Sequence, residues 1–95
     1  MVNEGYRESP EQLSGETKDM HRAIISLIEG LESVDWHNQR VEACHNAELK
    51  AILIRNRDEQ KVHAAMMLEW IRRHDPHFDK ELRGYLFTNR VIEPE

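Results

Sequence analysis

Residues 13–34 read LSGETKDMHRAIISLIEGLESV, and this stretch decides the fold. Mostly apolar residues recur in it at alternating intervals of four and three: Leu13, Thr17, Met20, Ile24, Leu27, Leu31 and Val34. That spacing places them on one side of an α-helix. Two starts of the helix are open, because Ser9 with Pro10 and Gln12 has the pattern of a capping box, while Ser14 is a competing N-cap.

A second helix is predicted over Ala47–His74. The stretch Cys44-His45-Asn46 before it indicates a tight connection in which Asn46 caps the helix. The side expected to face the core carries Leu49, Ile52, Leu53, Asn56, Glu59, Gln60, His63, Met66, Met67 and Trp70. Asp75-Pro76 ends the helix, because a residue before proline is biased away from helical geometry.

The rest of the chain predicts a short third helix from about Pro76 to Tyr85 and an unstructured tail over Thr88–Glu95. The fold class is therefore all-α, an antiparallel two-helix hairpin plus a short C-terminal helix. We expect one domain over residues 1–95, with flexible tails at about 1–8 and 89–95.

Both long helices carry a second apolar band outside the main one: Ile25, Ile28 and Trp36 on the first, and Ile54, Val62, Ala65 and Ile71 on the second. A hairpin has only one internal seam, so a single copy cannot bury both bands. The pattern therefore predicts a homodimer that completes a four-helix bundle.

Composition excludes several classes of protein. The net charge is -5 and acidic and basic residues are interleaved, so no basic stripe is available for nucleic acid. No apolar run approaches the roughly 20 residues that span a bilayer. Cys44 is the single cysteine, and the first residues, MVNEGYRESPEQ, lack the pattern of a secretory signal. We expect a cytoplasmic protein without a membrane or nucleic-acid partner.

Four polar residues interrupt the core-facing side of the second helix: Asn56, Glu59, Gln60 and His63. Buried polar groups are costly without partners, so the interruption needs an explanation. One explanation is a solvated face or a hydrogen-bond network that fixes register in a dimer. The other is a metal site, because di-metal carboxylate bundles use a Glu-x-x-His pair, which here reads Gln60-Lys61-Val62-His63. Both explanations remain open at this stage.

The first helix offers two further groups. Glu29 and Glu32 form an acidic pair near Trp36, which suits hard cations but is also typical of a solvated surface. His37 follows Gly30 by two turns and is expected to face the same way. The remaining histidines are expected to face solvent: His21, His45, His74 and His77.

Several stretches resemble the encapsulated ferritins over about residues 13–88: Met20-His21-Arg22-Ala23-Ile24, Val34-Asp35-Trp36, Asn56-Arg57-Asp58-Glu59, His63-Ala64-Ala65-Met66, Leu68-Glu69-Trp70 and Tyr85-Leu86-Phe87-Thr88. The resemblance implies a ferritin-like dimer, a ring-shaped decamer of such dimers, and storage of iron as cargo of an encapsulin shell. It also implies a di-iron ferroxidase site between two copies, built from a Glu of the first helix and a Glu-x-x-His of the second.

Three matched positions keep the residues that the family uses. His63 matches the ligand histidine, and Glu29 and Glu32 match the acidic pair on the path of iron to the site, beside Trp36. The other positions differ. The two ligand glutamates fall on Gly30 and Gln60.

The tyrosine that usually lies beside this site falls on His37. We therefore expect a degraded ferroxidase site, with the activity weakened or lost. Iron is the metal that the resemblance implies, with Glu59 rotating inward as one way to restore charge. Alternatively, His63 and His37 suit zinc, nickel or cobalt in a protein that does not oxidise its metal.

A purely structural helical oligomer is the remaining alternative. No stretch like an encapsulin-targeting peptide is found up to Glu95, so we expect a different route into a shell or a truncated sequence.

Overall fold

A computed structural model describes residues 5–94 as a hairpin of two long helices followed by a short one. A short 3-10 helix, Pro10–Gln12, precedes α1 (Gly15–Ala43), α2 (Ala47–His74) and α3 (Pro76–Tyr85). No strand occurs in the described range. These bounds confirm the predicted second and third helices, and the all-helical fold class.

Each α-helix begins with a side chain that accepts a hydrogen bond from a backbone N–H three residues ahead: Ser14 from Thr17 at 3.1 Å, Asn46 from Leu49 at 2.9 Å, and Asp75 from Phe78 at 2.9 Å. Such caps satisfy N–H groups that have no partner inside the helix. Ser14, not Ser9, therefore starts α1. Ser9 precedes the 3-10 helix, and its hydroxyl bonds to the Glu11 carboxylate instead of capping the backbone.

The seam of the hairpin follows two series of residues spaced by three and four. Every member is buried or half-buried: Met20, Ala23, Leu27, Gly30, Val34, His37 and Val41 on α1, and Lys50, Leu53, Arg57, Gln60, Ala64, Met67 and Ile71 on α2. This is the spacing of paired antiparallel helices. Only part of each predicted core-facing stripe lies in this seam.

Other members of the predicted stripes are exposed in the single chain, and for them the core prediction is wrong. The exposed fractions are 41% for Ile24, 54% for Leu31, 49% for Leu49 and 53% for Ile52. The small residues Ala23, Gly30 and Ala64 are buried instead. Because small side chains let two backbones approach closely, the larger neighbours are directed to the flanks of the hairpin.

Ile71 corrects the prediction of the outer apolar bands. It was expected outside the main stripe of α2, yet at 1% exposure it is the most deeply buried side chain of the described chain. The reason is α3, which turns back at Asp75 and packs against α2. Polar contacts reinforce this corner, because Arg72 bonds both to Glu69, at 2.7 Å, and to Asp79 of α3.

The segments outside the helices are held by a few contacts. On the N-terminal side, the Tyr6 ring lies 4.7 Å from the His21 ring, and the His21 Nε2 is buried without a partner. His21 is therefore half-buried, and the prediction that it faces solvent is wrong. The cause is this aromatic cover. His45, His74 and His77 are exposed as expected.

The tail after α3 contains no helix or strand in residues 88–94, as expected. It nevertheless makes contacts. Arg90 lies over the Tyr85 ring at 4.3 Å and donates to the Gly84 carbonyl at 3.0 Å. The predicted flexibility of residues 1–4 and 95 lies outside the described residues. Within the described range, no helix is long and apolar enough to cross a membrane.

Candidate metal site

An open depression of about 510 Å³ lies along the hairpin, midway along both long helices. We name it the Gln60–His63 depression; its lining comprises Ser26, Glu29, Gly30, Gln60, His63, Met66 and Met67. The structure thus brings together Glu29, Gln60 and His63, three residues that the sequence singled out on two different helices. Their oxygen and nitrogen atoms are of the kinds that bind divalent cations.

These three side chains are free to take a ligand. Within residues 5–94, Glu29, Gln60 and His63 make no side-chain hydrogen bond or ion pair. His63 is exposed and Gln60 is half-buried, so a cation has access without displacing a neighbouring charge. The depression is therefore supplied with donors that the fold itself does not use.

Glu59 and His37 are placed differently from these donors. The Glu59 carboxylate pairs with Arg55 at 3.2 Å, and it lines a separate depression on the outer side of α2. His37 lies two turns beyond Gly30 in the seam, and its Nδ1 is 2.8 Å from the Ser33 carbonyl oxygen. Neither side chain lines the Gln60–His63 depression, although both belong to the predicted metal set.

Gly30 forms the floor of the depression on α1. A Cβ at this position would lie 3.8 Å from the Ala64 Cβ and 4.0 Å from the Gln60 carbonyl oxygen, both ordinary contacts. Close approach of the helices therefore does not require glycine here. Steric need therefore does not explain the glycine at this position inside a long helix. What glycine does is leave the floor without a side chain.

Three residues were predicted to lie on the path of iron to the site: Glu29, Glu32 and Trp36. Of these, only Glu29 lines the depression. Glu32 is exposed, and Trp36 is 52% exposed on the same helix. Both remain candidates for guiding a cation along the surface of α1. Over residues 5–94, no three His, Cys, Asp or Glu side chains come close enough together to hold a metal ion.

Sequence reasoning missed two contributions to the lining. Ser26 was not singled out, although it precedes Glu29 by three residues and so shares its side of α1. Met66 and Met67 were interpreted as core packing, yet both line the depression and Met66 is 58% exposed. The available signal was their position one turn after His63.

Comparisons with known proteins agree with this architecture. A sequence model of the EncFtn-like family matches residues 5–89. An encapsulated ferritin-like protein of Rhodospirillum rubrum is 57% identical over 85 residues, which make up 90% of this chain and 61% of that protein. A ferritin-like protein of Thermotoga maritima is 46% identical over 87 residues, covering 92% of this chain and 76% of that protein.

A solved structure supports the fold directly. The crystal structure of a Nitrosomonas europaea protein superposes with a TM-score of 0.90 at 68% sequence identity, over 95% of this chain and 99% of that one. The chain spans less than two thirds of the Rhodospirillum rubrum relative, 61% of its length.

Proposed function

This chain belongs to the EncFtn-like family, and from that premise we propose that it binds iron as a ferritin-like cargo of an encapsulin shell, with weakened capacity to oxidise the iron. The observation that carries the proposal is the Gln60–His63 depression, where Glu29, Gln60 and His63 meet around Gly30. Iron is the substrate of this site.

Weak oxidation follows from the charge of the lining. Two glutamates that the resemblance implies are replaced by Gly30 and Gln60, so each chain lacks two carboxylates and a dimer lacks four. Ferric iron is a hard cation that prefers oxygen ligands of negative charge. Among the described residues of the lining, Glu29 is the one carboxylate, and His63 supplies an imidazole. This donor set suits Fe²⁺ better than Fe³⁺.

A second copy of the chain completes the site in this proposal. Large apolar side chains are exposed on both long helices, among them Ile28 and Leu31 on α1 and Ile52 on α2. Water contact with so much apolar surface is unfavourable, and covering it with a symmetric partner forms a four-helix bundle. Further dimers then close into a ring of the kind that the family resemblance implies.

The test is oxidation of Fe²⁺ by air in a protein first loaded without oxygen. The absorbance of ferric iron is followed for the unchanged chain and for a Gly30→Glu, Gln60→Glu double variant. We expect oxidation near the buffer rate for the unchanged chain and clearly faster oxidation for the double variant. Fast oxidation by the unchanged chain contradicts the weakened site, because it requires charge from elsewhere, such as Glu59.

The alternative function is a protein that holds zinc, nickel or cobalt without oxidation. The bond of His37 through Nδ1 leaves its Nε2 available, and His63 is free. Imidazole suits these borderline metals. This alternative replaces the proposed iron function if the protein binds zinc but no Fe²⁺ at micromolar excess, and if a His63→Ala variant binds neither metal. A protein that binds no metal and still assembles is a structural module.

A further inference from the structure

Three side chains with soft or borderline donor atoms lie one helical turn apart in the Gln60–His63 depression. His63, Met66 and Met67 are related as i, i+3 and i+4 on α2, and all three line the depression. Residues at these intervals are neighbours on one helix surface, with Cβ atoms about 5–6 Å apart. His63 is therefore a neighbour of each methionine on the helix surface, and an imidazole and two thioethers line the same depression.

The thioethers are accessible, unlike those of an ordinary core. Met66 is 58% exposed and Met67 is half-buried, while Gly30 leaves the floor of the depression without a side chain. The volume of about 510 Å³ far exceeds that of a water molecule or a metal ion. The sulfur atoms can therefore meet an ion without repacking of the hairpin.

The donor atoms of the lining determine which class of ion it favours. Thioether sulfur and imidazole favour monovalent copper, whereas hard cations favour carboxylates. Gln60 contributes an amide, and within residues 5–94 the lining has one carboxylate, that of Glu29. We propose that His63, Met66 and Met67 form a binding site for Cu(I). This inference rests on the proposed function only in that the depression is open to metal ions.

The competing explanation is that both methionines serve as apolar surface for a second copy. Methionine and leucine are close in volume and hydrophobicity, so Met→Leu exchanges preserve packing while removing sulfur. A Met66→Leu, Met67→Leu double variant therefore separates the two roles. Met20→Leu is the matched control, because Met20 lies on α1 outside the lining.

The experiment is competition for Cu(I) between the full chain and the chromophoric chelator bicinchoninate, without oxygen and with ascorbate present. The unchanged chain is expected to withdraw one Cu(I) per chain or per dimer from the chelator. Loss of thioether ligands is expected to weaken binding by about tenfold or more, since even outer partners of a metal site contribute tenfold to a hundredfold. Met20→Leu is expected to bind like the unchanged chain.

Two results overturn the proposal. One is that the unchanged chain leaves all Cu(I) with the chelator, and the other is that the double variant binds as tightly as the unchanged chain. X-ray absorption of the copper-loaded unchanged chain gives a test independent of any variant's folding. Sulfur scatterers beside nitrogen are expected, and a shell of nitrogen and oxygen alone contradicts the site.

Parallel titration with Fe²⁺ separates this proposal from the proposed function. The unchanged chain is titrated with each ion in turn. If Fe²⁺ binds and Cu(I) does not, only the copper site is wrong. If Cu(I) binds and Fe²⁺ does not, the iron function is wrong and the copper site stands.

Discussion

Gly30 of α1 lies directly against Ala64 of α2: a Cβ on Gly30 would meet the Ala64 Cβ at 3.8 Å, an ordinary van der Waals distance. The two helices thus pack against each other through small residues beside the candidate metal site, and the glycine there is not forced by sterics. Packing does not require glycine at position 30, where the resemblance implies a ligand glutamate. The missing carboxylate is therefore not a consequence of how the two helices pack.

The first prediction is that Gly30→Ala stabilises the protein. Alanine is favoured over glycine inside a helix by about 1 kcal/mol, and the added methyl group has room. For a chain of this size that free energy corresponds to a rise in Tm of roughly 4–8 °C. Circular dichroism at fixed protein concentration measures it. Ala64→Gly is the reciprocal control and should lower Tm. A lower Tm for Gly30→Ala would contradict the finding that a Cβ has room at this position.

The second prediction concerns the corner between α2 and α3. Asp75→Ala removes the acceptor for the Phe78 N–H and should lower the free energy of unfolding by about 1 kcal/mol. Urea unfolding at constant protein concentration measures this loss. Asp75→Asn keeps a capping oxygen and should lose much less. Equal losses for the two variants would show that charge, and not the cap, is what Asp75 contributes.

The third prediction concerns acid stability. Hydrogen bonds from Arg72, and then from Arg73, lower the pKa of the Glu69 carboxyl from 4.5 to about 2. A carboxyl whose pKa is lower in the folded chain stabilises the fold above its unfolded pKa, and this contribution disappears as pH falls through the folded pKa. Tm should therefore decrease between about pH 4.5 and pH 2 in part because of Glu69.

A Glu69→Gln variant isolates that contribution. It should melt below the unchanged chain at pH 6, and the difference in Tm should shrink as pH approaches 2. The measurement is a series of thermal melts across this range. A difference that stays constant with pH would show that Glu69 titrates alike in the folded and unfolded chain.

The fourth prediction separates Glu59 from its neighbour Gln60. Glu59 is paired with Arg55 outside the depression, so Glu59→Gln should leave Fe²⁺ binding unchanged. Gln60→Glu places a carboxylate in the lining and should tighten binding. Anaerobic titration with Fe²⁺ compares the two variants. Weaker binding in Glu59→Gln would mean that this side chain rotates inward when metal is present.

Much of the fold could be predicted from the sequence because its signals are local. Asn46 carries a cap pattern that depends on neighbouring residues only, and the predicted cap is found, as is the cap at Ser14, one of the two starts left open. The residues of the seam were harder to predict. Leu31 and Ile52 have the spacing of core residues, but a hairpin of two helices leaves them on its flanks. The burial of Ile71 depends on how α3 packs against α2, and the spacing of residues along α2 does not determine this packing.

The candidate site was partly predictable for the same reason. Gln60 and His63 stand out as polar breaks in an apolar stripe, and the resemblance adds Glu29. Their convergence requires the crossing of α1 and α2, which places Gly30 opposite them. The direction of Glu59 is set by its pair with Arg55, a choice of rotamer that spacing does not determine.

The most direct test of the central claim is the stoichiometry of Fe²⁺ binding in the absence of oxygen, measured by titration calorimetry. His63→Ala is compared with His77→Ala, a matched exposed histidine on α3 outside the depression. The account predicts that His63→Ala abolishes high-affinity binding while His77→Ala leaves it unchanged. Unchanged stoichiometry in His63→Ala would contradict the assignment of the Gln60–His63 depression as the metal site.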